Sequence, residues 1–367
     1  MTKKIKPQAI VYSEGEFGKI DGKVANGLIR HSEKFEIVAV VDSKKAGLDS
    51  GKLLDNKENG IFIFKSIDDA LNKLQYTPTY FIYGIAPLAS YIDKKQREVI
   101  LLAMKRGMNI INGLAEFFTD DDELVEAAMN YEVEIHDIRK PPFRKDLHQF
   151  TGKIRNVTIP IIAVMGTDCA VGKRTTALKL VEALKKEGLK AIFITTGQTG
   201  LLQGSKYGIA VDVLTSGFAS GEVENAILEA EKESPDIIVV EGQGALSHPA
   251  FTSSSAIIRG SMPKAIIVQH PPKRKNRCDF PEIPMPSLES EIQLIETFST
   301  AKVIAITLNH EAMSTKEIEQ TIELYEIKFK LPTTDVLKYN CKKIIDKLYE
   351  VFPELINIKP LLWQTQD

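Results

Sequence analysis

The sequence predicts an α/β protein of two domains, each a mostly parallel sheet with helices on both faces. Three observations predict it. Short apolar runs alternate with helical stretches along both halves of the chain, the pattern of parallel strands joined by crossover helices. The alternation is broken once near the middle, at Arg139-Lys-Pro-Pro-Phe-Arg-Lys-Asp-Leu-His148, where paired prolines forbid a helix. It then restarts at Ile161-Ile-Ala-Val-Met-Gly-Thr-Asp-Cys-Ala-Val-Gly-Lys-Arg-Thr-Thr176, which joins an apolar strand, a glycine loop, a lysine and a helix start.

In the first half, strands are expected at 9–12, 36–41, 60–64, 79–83, 108–111 and 133–138. Helices are expected at 23–31, 66–74, 94–106 and 120–131, the last with acids in its first turn. Asp42 ends the second strand, where a dinucleotide domain contacts a ribose. The stretch before it, Ser13-Glu-Gly-Glu-Phe-Gly18, is not the glycine fingerprint, and its two acids repel a pyrophosphate. The expectation is a Rossmann-like domain over residues 1–140 without a nicotinamide cofactor. A linker over 141–156 follows, with His148 and its basic neighbours in solvent, and a second domain fills 157–367.

In the second half, strands are expected at 190–195, 236–240, 264–269 and 302–307, with helices at 222–233, 288–298, 315–325 and 341–352. The phosphate loop makes this half P-loop NTPase-like. Phosphate binding requires backbone N–H groups to converge on oxygen, so the loop carries glycine where the ligand approaches. The helix start adds unpaired N–H donors and the positive end of a dipole. Gly166, Thr167, Asp168, Gly172, Lys173, Arg174, Thr175 and Thr176 are the candidate phosphate-binding residues. Five residues separate the two glycines instead of four, and Arg174 stands where a hydroxyl normally binds Mg²⁺.

Ligands of parallel sheets sit beyond the carboxyl ends of strands. Besides the phosphate loop, three stretches fall there: 195–200 with Gln198, 241–248 with Glu241, Gln243 and His248, and 309–311 with Asn309. Glu241 ends an apolar strand, the place of a metal-holding acid. With Thr175 it is the candidate Mg²⁺ pair if a metal is used; otherwise no metal is expected. His248 is the first candidate for moving a proton and Glu241 the second. Asn309 offers both a donor and an acceptor to a base edge. The basic cluster with Lys273 and Arg274 follows another strand end and suits an anion; Gln198 and Gln243 join that substrate set.

The 367 residues are 43% hydrophobic and 26% charged, ordinary for a globular protein. A net charge of −2 argues against a general nucleic-acid binder. No apolar run approaches a membrane span, and no signal peptide is read at Met-Thr-Lys-Lys-Ile-Lys-Pro. Three cysteines, Cys169, Cys278 and Cys341, with no CxxC pair, suit a reducing cytoplasm. Cys169 is expected as a small residue packed under the loop. The oligomeric state is left open, a homo-oligomer included.

The loop Gly-Thr-Asp-Cys-Ala-Val-Gly-Lys resembles that of dethiobiotin synthetase-like enzymes, which share its five-residue spacing and a later Glu-Gly-x-Gly stretch, here Glu241–Gly244. A wider set is similar to the D-glutamate N-acetyltransferase-like family: Gly-Thr-Asp-Cys-Ala-Val-Gly-Lys-Arg-Thr-Thr, Thr-Gly-Gln-Thr-Gly, Glu-Gly-Gln-Gly-Ala-Leu-Ser-His-Pro-Ala and Leu-Asn-His-Glu. That resemblance spans nearly the whole chain. It implies a Rossmann-like domain followed by a P-loop domain, and acetyl transfer from acetyl-CoA to the amine of D-glutamate. The phosphate loop would then grip the nucleotide part of acetyl-CoA, with Lys273 and Arg274 on the side-chain carboxylate. The first resemblance implies the alternative, an ATP- and Mg²⁺-dependent ligase or kinase. A nucleotide-sensing protein without catalysis is the third reading. In each case the partners are small molecules, a nucleotide and an amino acid in the first.

Overall fold

The computed structural model describes residues 5–87 and 91–356. The first four residues, on which part of the signal-peptide reading rests, lie outside the described residues. The chain forms two compact units, 1–141 with 198–205, and 142–197 with 206–367. No helix among the described residues is long and apolar enough to cross a membrane.

The first unit runs β1 (Gln8–Tyr12), α1 (Lys23–Arg30), β2 (Glu36–Val41), α2 (Ser50–Asp55), β3 (Ile63–Phe64), α3 (Ile67–Leu74), β4 (Tyr80–Tyr83), α4 (Lys94–Lys105), β5 (Asn109–Asn112), α5 (Asp122–Asn130) and β6 (Ile135–Asp137). Its strands pair in parallel in the order β3-β2-β1-β4-β5-β6, the doubly wound arrangement. The central strands are short and apolar, so both faces are covered and two apolar clusters form, one on each side of the sheet. Helix α2 was not legible as a periodic stretch. It is set locally, by Asp49 accepting Lys52 N–H at 2.8 Å as its cap. Asp42 is fully buried, and its carboxylate accepts the N–H groups of Gly15, Phe17 and Lys44 at 3.0, 3.2 and 3.0 Å. These bonds spend it on folding the 13–18 loop, away from any ribose.

The second unit runs β7 (Ile161–Gly166), α6 (Lys173–Lys186), β8 (Ala191–Thr195), then α7 (Gln198–Gln203), β9 (Tyr207–Gly208), α8 (Ser216–Glu231), β10 (Ile237–Glu241), α9 (Ser253–Ser261), β11 (Ala265–His270), α10 (Leu288–Ser299), β12 (Lys302–Leu308), α11 (Thr315–Phe329), β13 (Thr333–Thr334) and α12 (Lys342–Val351). The parallel order is β13-β12-β11-β7-β10-β8-β9. Strands β7, β10 and β11 are buried along their whole length. The chain builds one side of β7 first and then crosses to the other, so the order reverses at β7, the place where a parallel sheet receives a ligand beyond its strand ends. Helix α7 departs from the expected loop at 195–200. It groups with the first unit: Leu202 is buried in an apolar cluster there, and Gln203 Nε2 donates to Gly27 O and His31 O at 2.8 and 3.0 Å.

Arg144, Lys145 and His148 are exposed as expected, but residues 147–154 are not a free linker. They lie against α8, where two buried acids hold them. Glu222 accepts His148 N–H at 2.6 Å and contacts its Nδ1 at 3.0 Å. Glu224 accepts Thr151 N–H and Oγ1–H at 2.6 and 3.0 Å and Ile154 N–H at 3.1 Å. The backbone comes so close that a Cβ at Gly221 would meet His148 O at 2.2 Å. Removing the carboxylate strands two N–H groups beside a core, which costs about 2 kcal/mol or more. Glu224→Ala is therefore expected to lower the urea midpoint with an unchanged m-value, and Glu224→Gln to lower it less. Equal midpoints for all three proteins would show that the docking contributes no stability.

Candidate functional site

The site is assembled beyond the carboxyl ends of β7, β8, β10 and β11. After Gly166 the loop turns through Ala170 at φ 50° and Gly172 at φ 103°, the left-handed region that suits glycine, and Gly172 caps α6. Lys173 opens α6 and is not on an open loop: it is 6% exposed, and its ammonium donates to Asp168 O at 2.6 Å and Gly244 O at 2.7 Å. Burial pushes its pKa below the usual lysine value, and the neighbouring Cys169, Asp168 and Glu241 oppose that shift.

Asp168, expected at the phosphate, is a fully buried clamp instead. It accepts Cys278 N–H at 2.9 Å and Arg274 Nη1–H at 2.9 Å, with Arg277 Nη1 at 3.5 Å. Burial alone would raise its pKa; the Cys278 N–H and Arg274 outweigh it and hold the carboxyl below its ordinary value. Arg274 is likewise not free for a substrate carboxylate. It reaches Asp168, Cys169 O at 2.8 Å and both oxygens of Glu311, at 2.8 and 2.7 Å. Lys273 lies in solvent with Glu317, whose carboxyl it holds down to about 2. Asn309 Oδ1 accepts Glu311 N–H at 3.1 Å in a local turn. Gln198, on α7, belongs to the first unit, whereas Gln243 Nε2 donates to Thr196 O within the second. Within the second unit, Lys273, Arg274 and Gln243 each already have a partner in the protein.

Glu241 is 7% exposed and accepts Thr195 Oγ1–H at 2.6 Å and Thr196 N–H at 3.2 Å. Burial raises its pKa above 4.5, against the pull of Arg174 on the adjacent helix. His248 is 6% exposed, stacked on Phe251 with centroids 4.6 Å apart. Its Nδ1 accepts Ala250 N–H at 3.2 Å, which places the proton of the neutral ring on Nε2. That nitrogen is buried, has no hydrogen-bond partner, and lies 3.8 Å from Asp168 Oδ1. Burial, then Arg277, push the His248 pKa below 6.5, so the ring is neutral at physiological pH. This geometry makes His248 a hydrogen-bond donor, not the base expected from its sequence position.

The residues that hold the site were mostly missed. Gln269 Oε1 accepts the hydroxyls of Thr176 and Thr307, and its backbone O accepts Thr167 N–H at 3.1 Å. His270 Nδ1 meets Thr167 Oγ1 at 2.9 Å; burial, then Arg274, lower its pKa to about 4. Both end an apolar strand, so the strand-end rule would have found them. Glu291, fully buried on α10 between Leu288 and Ile295, accepts the N–H groups of Leu246 and Ser247 at 2.7 and 3.3 Å. Arg277 Nη2 donates to Ser247 O and Oγ at 3.1 and 3.0 Å. A carboxylate on an apolar helix face was the signal for Glu291; Arg277 gave none beyond its place in the basic run.

Residues 148–345 match the family described as a domain of unknown function, the DUF1611 C-terminal P-loop domain, and residues 43–141 match the DUF1611 N-terminal Rossmann-like domain. The chain belongs to the DUF1611 family. A crystal structure of a DUF1611 family protein from Anabaena variabilis superposes with a TM-score of 0.86 at 29% identity, covering 94% of this chain and all of that one. Two relatives carry the name D-glutamate N-acetyltransferase. The one from Pseudoalteromonas is 33% identical over 276 residues, 73% of this chain and 80% of its own length. The one from Tritonibacter scottomollicae is 27% identical over 276 residues, 74% and 81%. The two domains are thus Rossmann-like and P-loop, as the sequence patterns led one to expect.

Proposed function

We propose that this DUF1611 protein is an N-acetyltransferase that moves the acetyl group of acetyl-CoA to the amine of an acidic amino acid of the D-glutamate kind. The observation that carries the reading is the pair of D-glutamate N-acetyltransferase relatives, which match about three quarters of the chain. The chemistry of the site supports it. Coenzyme A carries phosphates, and the glycine loop, Lys173 and the start of α6 form a phosphate grip that needs no hydrolysis. Glu241 has the raised pKa of a group suited to taking a proton from an ammonium, and His248 Nε2–H is a donor suited to a developing oxyanion.

The test is an amino-acid panel incubated with acetyl-CoA or with Mg-ATP while free thiol and phosphate are followed together. Thiol release dependent on an acidic amino acid supports the reading; phosphate release with ATP replaces it with the ligase or kinase alternative. The metal requirement separates the two as well. Arg174 occupies the hydroxyl position of the phosphate loop, so coenzyme A affinity is expected to change by less than about twofold when EDTA is added. A tenfold or greater loss, about 1.4 kcal/mol, would assign Glu241 and Thr175 to a Mg²⁺ ion.

A further inference from the structure

Two of the three cysteines, widely spaced in the sequence, lie against each other in the fold. Cys169 lies in the phosphate loop and Cys278 in the 271–286 loop, which follows β11. Cys278 N–H donates to the carboxylate of Asp168, the residue before Cys169, at 2.9 Å, and Cys278 Sγ lies 3.5 Å from Cys169 O. Cys278 is thus held against Cys169 by both its backbone and its side chain, and both residues are partly exposed. Several polar groups surround Cys169. The Lys173 ammonium and the start of α6 are beside it. A His248 nitrogen and an Asp168 oxygen lie with its Sγ in one group, all within 4.8 Å of one another. The buried His248 Nε2–H is the donor that lacks a partner. A divalent cation is the poorer occupant of that group. Asp168 already faces two arginines, and the tautomer set by Ala250 leaves no lone pair on Nε2.

We propose that Cys169 and Cys278 are an oxidant-reactive thiol pair, which a hydroperoxide converts to a disulfide that fastens the phosphate loop to the 271–286 loop. The Cys169 thiolate attacks one peroxide oxygen, the O–O bond breaks, and the second oxygen leaves as water after taking a proton. The resulting sulfenic acid is attacked by the Cys278 sulfur, which loses its proton as the S–S bond forms and the second water departs. Two thiols and one hydrogen peroxide thus give one disulfide and two waters. The order of the two attacks follows from the surroundings of Cys278. The Cys278 thiol is kept protonated, its pKa pushed up first by its hydrogen bond to Cys169 and then by burial. The link would hold residues 166–173 where Asp168 and Arg274 already place them, so the loop could not rearrange around a phosphate.

The reading is independent of acetyl transfer, and its test uses no ligand. The full-length protein is treated with hydrogen peroxide and digested without reductant. The expected result is a peptide pair joined through Cys169 and Cys278 that dithiothreitol separates, and amide hydrogen exchange over 166–173 slowed about tenfold or more in the oxidised protein. In Cys278→Ser, Cys169 is expected to accumulate as a sulfenic acid trapped by dimedone; in Cys169→Ser, Cys278 is expected to remain unlabelled. Failure to recover the linked peptide from wild-type protein, or dimedone labelling of Cys278 at the wild-type Cys169 rate in Cys169→Ser, would overturn the proposal. Unchanged exchange over the loop in the linked protein would overturn its effect on the phosphate loop.

Discussion

Lys173→Met is expected to weaken coenzyme A binding by about a hundredfold, about 2.8 kcal/mol, with the fold retained. The magnitude follows from the loss of charge-assisted hydrogen bonds, each worth roughly 1.5–3 kcal/mol. Methionine is chosen because Lys173 is buried. Both variants leave two carbonyls, Asp168 O and Gly244 O, without a donor; Lys173→Ala also removes the stem and is expected to lose more stability, through a cavity at the start of α6. In the ligand-free protein the ammonium is desolvated and its pKa lowered. An arriving phosphate replaces neutral carbonyls with a full negative charge, which reverses that shift and strengthens the bond. Calorimetry with coenzyme A, beside thermal melts of both variants, reads affinity and stability separately. A folded Lys173→Met protein with wild-type affinity would remove the loop from the ligand site.

The second large effect is on the rate. His248→Ala is expected to keep coenzyme A binding and lose acetyl transfer by a factor on the order of a hundred to a thousand, the usual cost of one oxyanion donor. His248→Gln, which keeps an N–H donor, is expected to recover part of that loss. The pH dependence carries the sign. Because burial and Arg277 lower the His248 pKa, its charge changes below 6.5 and gives no ionisation at neutral pH. A rise in rate with pH then follows the loss of a proton from Glu241, whose pKa burial places above 4.5. Thiol-release rates for wild type and both variants across pH test this. A single ionisation near neutrality that disappears in both variants, with glutamine no better than alanine, would make His248 the base. Full activity in His248→Ala would make it a structural residue.

The sequence by itself determined the two parallel sheets, because strand-length apolar runs alternating with helical stretches have few other ways to bury both faces. It also determined where the phosphate loop lies, since a strand, two glycines and Lys173 at fixed spacing are local facts. Strand ends were equally legible, which is why Glu241 and His248 were singled out. Tertiary structure alone decided what each of those residues does. Asp168 and Arg274 looked available to ligands but neutralise each other across 106 positions of sequence, a pairing that no local pattern carries. The Ala250 N–H fixes the tautomer of His248, so that its Nε2 carries a proton and presents a donor. Helix α7, set within the second half of the chain, completes an apolar cluster of the first unit because Leu202 is buried there, a partnership that its six residues cannot announce. Cys169 and Cys278 lie 109 positions apart and have no motif in common; only the docking of one loop on the other brings the Cys278 sulfur against the Cys169 backbone.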